Sequence, residues 1–207
     1  MKMYNVLDRI VGHKFKARIL RVICDKNIGW TGRQLAKELD ISPTTSSKFL
    51  KELVEEGVVF SKGVGKSYLY HLNDRSYVVR NILMPFFDRE KRIINDIAAI
   101  VKKAIFKSGA EIEAIVMFGS VAKETDTIKS DVDILVIIGN LKDRLRVETS
   151  INALSKTIAI DFNTAVSLHV LSISQLKKQY KEKSPLLNEI FRSYKLLYGK
   201  PLERIVA

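Results

Sequence analysis

Residues 118–136 read FGSVAKETDTIKSDVDILV, and this stretch decides the architecture of the rear half of the chain. Apolar runs flank it at 114–118 and 134–138, each with the length and β-branched content of a buried strand. The first run ends in Gly119-Ser120. Glycine lets the backbone come close to a phosphate, and the Ser120 hydroxyl with the free N–H groups of a helix start can hold one. The second strand opens with Asp131-Val132-Asp133. Side chains alternate along a strand, so both carboxylates point to one face. Two carboxylates so placed can grip Mg²⁺ that also holds the phosphates of a nucleoside triphosphate. Gly119 and Ser120 are therefore the expected phosphate-binding residues, and Asp131 and Asp133 the expected metal and catalytic residues. The competing reading is that the two aspartates only solvate an edge strand.

Ten residues separate Ser120 from Asp131, a serine precedes the first aspartate, and an apolar tail follows the second. In these features the stretch resembles the signature of the polymerase-β nucleotidyltransferase superfamily, in the minimal form found in antitoxin proteins. That resemblance implies a mixed β-sheet flanked by helices and Mg²⁺ with ATP or another nucleoside triphosphate as ligand or substrate. It also implies transfer of a nucleoside monophosphate such as AMP to a protein or small molecule, and a small helical toxin as partner. Two departures stand against it. Lys123 is followed by Glu124 where members carry a small residue, and the third carboxylate that active members supply from a later strand is not evident. The candidate strand, 165–171, has Val166, Leu168 and Val170 on its core face and Ser167 and His169 on the other. Asp161 comes too early to serve. His169 can ligate a metal or meet a phosphate, although one histidine on a half-buried strand is more often structural. The rear domain is thus read either as a nucleotide binder or as an enzyme. The closing stretch SPLLNEIFRSYKLLYG (184–199) reads as a helix entered through Ser184-Pro185 and ended near Tyr198-Gly199.

The front third carries a different pattern. A helical apolar spacing runs from Lys14 through Phe15, Ile19, Leu20 and Ile23. Thr31-Gly32-Arg33-Gln34 reads as a capping box opening a second helix, and Ser42-Pro43 opens a third that ends at Gly57. The second helix of such a pair lies in the DNA major groove. Its Thr44, Thr45 and Ser47 are small enough for close approach, and Lys48 and Lys51 can meet phosphates. Two alternating strands follow, 58–61 and 67–72, around a basic tip that carries Lys62 and Lys66. The phrase TGRQLAKELDISPTTSSKFLKELVEEGVV (31–59) resembles the winged helix-turn-helix of bacterial and archaeal transcriptional regulators, which implies double-stranded DNA as partner.

The expected organisation is α+β: a winged helix-turn-helix over 1–75, a helical connector over 76–107 that Pro85 ends or kinks near Met84, and a nucleotidyltransferase-like domain over 108–207. The connector is more apolar than a spacer needs, which fits packing against the domains or a homodimer on a two-fold DNA site. Across the 207 residues the net charge is +12, and residues 1–75 hold 14 Lys and Arg against 8 Asp and Glu. That basic density at the front favours a polyanionic partner, although lysine-rich surfaces also serve solubility. A hydrophobic content of 46% with 28% charged residues excludes a disordered chain. No apolar run is long enough to span a bilayer. No secretory signal is visible, and a single cysteine, Cys24, excludes an internal disulfide. The expected compartment is the cytoplasm, with no membrane partner.

Overall fold

The structure is a computed structural model that describes residues 4–125 and 130–207. The chain divides into two compact units, residues 1–92 and 93–207. The combination is α+β: a helix-turn-helix with its wing at the front, and a mixed sheet flanked by helices at the rear.

The front unit opens with a short helix α1 (Val6–Ile10), then α2 (Lys14–Asp25), in which Ile19, Leu20 and Ile23 are fully buried. A two-residue strand β1 (Trp30–Thr31) leads into α3 (Gly32–Glu38). Thr31 and Gln34 form the expected capping box, with Thr31 Oγ1 accepting from the Gln34 amide at 3.2 Å. Ser42 caps α4 (Pro43–Glu55), accepting from the Thr45 amide at 3.0 Å, and Pro43 sits in its first turn. Leu35 of α3 and Leu50 and Leu53 of α4 join the α2 residues in one core.

Within that core Ser46 is a buried polar side chain, and its hydroxyl donates to the Gly32 carbonyl at 2.9 Å. The bond fixes the start of α3 on α4 and satisfies the buried Ser46 hydroxyl. Ser46→Ala removes this bond between α4 and α3, so a loss of about 0.5–1.5 kcal/mol is expected in chemical denaturation. An unchanged midpoint would mean that water replaces the hydroxyl.

Strands β2 (Val59–Val64) and β3 (Ser67–Leu72) form the wing, and β1 adds to the far edge of β3. The pairing runs further than the sequence reading had it. Val64 faces Ser67, so the turn is only Gly65-Lys66, with Gly65 at φ +57°. Lys66 is at the tip as expected. Lys62 is not: it lies within β2, opposite Leu69. The tight two-residue turn, which Gly65 makes accessible, draws the intervening residues into the ladder.

Pro85 does not interrupt the helix either. Residues Val79–Leu83 form a π turn, in which the Met84 amide reaches the Val79 carbonyl, and α5 (Met84–Lys107) continues directly. The wide turn ahead of Pro85 makes room for its ring against the preceding turn, so the missing amide breaks one ladder bond without ending the helix. Val79, Leu83 and Phe87 pack into the front core, whereas Ile97, Val101 and Ile105 of α5 pack in the rear unit.

The rear unit contains β4 (Ile112–Phe118), a four-residue helix α6 (Gly119–Ala122), β5 (Val132–Ile138), α7 (Arg144–Phe162) and β6 (Val166–Ser172). Then follow α8 (Ile173–Lys181), α9 (Pro185–Arg192), β7 (Lys195–Gly199) and α10 (Leu202–Val206). The sheet order is β6-β5-β4-β7. β4 runs antiparallel to β5 and β7, and β5 parallel to β6, with α7 as the crossover. Ile115, Met117, Ile134 and Val136 pack against α5 and α7, while Val116, Leu135 and Ile137 pack against α8, α9 and α10. Burial on both faces explains why β4 and β5 read as continuous apolar runs instead of alternating ones.

The closing stretch is a correction. The helix entered at Ser184-Pro185 stops at Arg192, Ser193 is extended, and 195–199 form an edge strand on β4. Gly199 adopts φ +83° and lies so close to the Glu113 carbonyl that a Cβ there would collide with it. The gain that decides this segment is pairing with the free edge of β4, which local propensity does not register.

Candidate functional site

β4 and β5 bring the two halves of the motif together. Their register sets Phe118 opposite Asp133, so Gly119, the next residue of the chain, lies beside the Asp133 side chain. A Cβ on Gly119 would overlap Asp133 Oδ2, and Gly119 holds φ +76°, which L side chains rarely adopt. Ser120 is half-buried in α6, and its carbonyl accepts from the Thr125 amide at 2.9 Å, which closes the turn back on the helix. Asp131 is exposed just before β5, Val132 is buried, and Asp133 is half-buried, so the alternation places both carboxylates away from the core side of Val132. Residues 126–129 of the motif lie outside the described residues.

On its other side β5 pairs with β6 in a register that aligns Asp133 with Ser167 and Leu135 with His169. Ser167 and His169 thus lie on the face expected for them. The structure adds that the Ser167 hydroxyl lies beside the Asp133 carboxylate and favours its charged form. The row across the sheet is therefore Phe118, Asp133, Ser167, with a hydroxyl beside the aspartate. His169 lies one row further along, its ring 5.6 Å from that of Phe118. From α9, Glu189 faces the same region and is held by Lys123, Nζ to Oε1 2.8 Å.

Burial pushes the Asp133 carboxyl above its usual range, and the charges of Asp131 and Glu189 add to the rise. The Ser167 hydrogen bond and His169 act in the opposite sense. A carboxylate that ionises reluctantly beside a second one is a place where a cation gains by binding. Among the described residues no group of three or more His, Cys, Asp or Glu is arranged to hold a metal. Asp131 and Asp133 fit Mg²⁺ in the way that ion is usually bound, through one or two carboxylates with the remaining ligands from phosphates and water. When bound, such an ion would neutralise phosphate charge and draw electrons from the phosphorus under attack.

In the front unit, Thr44, Ser47, Lys48 and Lys51 of α4 line one surface hollow with Arg33 and Pro43. Thr45 is half-buried, and its hydroxyl is 2.7 Å from the Ser42 hydroxyl in the helix cap. Lys62 and Lys66 are exposed on the wing. Arg33 was missed as a surface contributor. Its capping-box context marks a helix start, but only the packing of α3 on α4 sets that start beside Lys51.

Residues 102–202 match the family model described as polymerase beta, nucleotidyltransferase, and residues 14–59 match that of winged helix-turn-helix DNA-binding domains. The chain is therefore a fusion of a winged helix-turn-helix module with a polymerase-β-type nucleotidyltransferase domain. Among curated proteins it is 28% identical over 113 residues to "Putative protein adenylyltransferase MJ1305" of Methanocaldococcus jannaschii, covering 54% of this chain and 75% of that one. Two solved structures also match over 53% of this chain and 80% of theirs, each with a TM-score of 0.37. One is a toxin-antitoxin with AMP-PNP, at 19% identity, and the other a mutant of the toxin-antitoxin MntA-HpeT, at 18%. No helix among the described residues is long and apolar enough to cross a membrane.

Proposed function

We propose that the protein is a DNA-binding regulator whose rear domain binds a magnesium–nucleoside triphosphate, with Gly119 and Ser120 at the phosphates and Asp131 and Asp133 at the metal. The observation that carries this reading is the close fit of Gly119 against Asp133 at a positive φ, which sets the glycine turn directly beside the carboxylate. Calorimetric titration of MgATP into the protein tests it. The absence of saturable binding would remove the nucleotide from the function.

DNA binding rests on the hollow formed by Arg33, Thr44, Ser47, Lys48 and Lys51, together with the exposed wing lysines. Removing both Lys48 and Lys51 by alanine substitution is expected to weaken binding to any duplex. It should also flatten the slope of log affinity against log salt by about 1.8, the share of two phosphate contacts. Fluorescence anisotropy over a salt series reads both quantities. An unchanged slope would place the DNA elsewhere, or show that the winged helix serves another partner.

A second reading, favoured by the name of the curated relative, is that the domain transfers AMP from ATP to a protein hydroxyl. Oxygen attack at the α-phosphorus then forms the phosphodiester and releases pyrophosphate, and the hydroxyl proton passes to a base. Pyrophosphate release and labelling from α-labelled ATP, assayed with a co-expressed neighbouring gene product as acceptor, separate the two readings. Label on protein that depends on both aspartates selects the enzyme.

A further inference from the structure

Where α2 meets the π turn and the first turns of α5, the front unit holds a cavity of about 350 Å³. Its volume lies at the lower end of the range of small-molecule sites. Met84, Pro85, Phe87 and Cys24 supply the apolar wall, with Phe87 almost wholly buried beneath it. Burial raises the Cys24 thiol to about 11, so that wall is uncharged at neutral pH. Three charged side chains complete the lining: Arg80, Asp88 and Lys91.

Two of these charges are already balanced. Lys91 pairs with Asp25 of α2, and Asp88 pairs with Arg92 at 2.7 Å. Arg80 is different: among the described residues its guanidinium has neither an ion pair nor a hydrogen bond. It projects from the π turn, a rare helical irregularity often associated with functional sites. The cavity thus offers one uncompensated planar cation above an apolar wall that carries an aromatic ring. A guanidinium matches a carboxylate with two parallel hydrogen bonds, which a bare apolar cavity or a lone lysine does not provide.

We infer that this cavity is a binding site for a small monoanionic carboxylate with an aromatic or branched apolar body, its carboxylate on Arg80 and its body against Met84 and Pro85. The site shares no residue with the proposed nucleotide site or with the DNA-facing hollow, so it stands or falls separately from the proposed function. The π turn orients the reader of charge, and the apolar wall on the buried Phe87 reads shape.

The full chain, labelled with ¹⁵N, would be titrated with benzoate and phenylacetate, and with benzamide and inorganic phosphate as controls. The amides of Cys24, Met84 and Phe87 would be followed by NMR. Saturable shifts are expected for one or both carboxylates, with affinity falling about tenfold or more in Arg80→Gln. Arg80 is exposed, so the variant should fold, and its own spectrum verifies this. Four results would overturn the inference: no saturable shift with either carboxylate, equal binding of benzamide, an equal response to phosphate, or undiminished binding in Arg80→Gln. Shifts that follow protein concentration without added ligand would also overturn it, because the cavity would then be a contact between copies.

Discussion

Replacing Asp133 with asparagine is expected to abolish magnesium-dependent nucleotide binding, and with it any nucleotidyl transfer, while leaving the fold intact. The amide keeps the shape and can still bond Ser167, but it carries no charge for a cation. If transfer occurs, a rate loss of about 10³-fold or more is expected, the scale on which a group central to charge stabilisation acts. Asp131→Asn should weaken metal binding as well. Nucleotide binding that persists in Asp133→Asn without a metal requirement would show that the site works through Gly119 and Ser120 alone.

The same substitution has an opposite effect on stability. The native fold raises the Asp133 carboxyl pKa, mainly by burial, so ionisation is less favourable in the folded chain than in the unfolded one. The protonated form therefore contributes stability that is fully present below the unfolded value, about 4, and lost as pH rises through the folded one. Without metal, Asp133→Asn should melt higher than the parent at neutral pH, and the advantage should vanish in acid. Saturating Mg²⁺ and nucleotide should reverse the order, because only the parent gains by binding. Thermal unfolding at two pH values, with and without ligand, measures all of this.

The second large effect is expected at Gly119. Alanine there must adopt a left-handed backbone, at a cost of about 1–2 kcal/mol, and its methyl group must displace the Asp133 carboxylate. The carboxylate is the end of a short side chain and can swing aside, so the protein should fold. The swing takes the charge away from Asp131 and from the proposed cation position. Nucleotide affinity should fall by about 10–100-fold, which corresponds to loss of one well-placed charged contact. Unaltered affinity with lowered stability would mean that Gly119 serves only the turn and that the phosphates lie elsewhere.

Much of this site was legible because it is local in sequence. Gly119-Ser120 at one strand end and Asp131-Val132-Asp133 at the next strand start carry their own geometry: a turn that demands glycine, and a period of two that sets both aspartates on one face. The Thr31–Gln34 capping box and the Ser42-Pro43 helix start are readable for the same reason, since each bond spans three residues. Ser167 was placed on the correct face of its strand, but its bond to Asp133 depends on a parallel register that no local signal specifies. Glu189 reaches the site from α9 and Lys123 reaches Glu189, a partnership 66 residues apart in the chain.

The amino-acid sequence by itself determined the two-domain composition of this protein, the helix-turn-helix with its wing, and the pair of carboxylates beside a glycine turn. Hydrophobic periodicity, caps and short motifs express energies that act within a few residues. Tertiary structure alone decided that 195–199 would be a strand, that Lys62 would lie in the wing ladder, and that the helix would pass through Pro85 behind a π turn. For 195–199 the competing local preferences differ by about 1 kcal/mol, and pairing with a free strand edge outweighs that difference. At Pro85 the larger local cost is offset by the π turn and by burial of Val79, Leu83 and Phe87 in the front core.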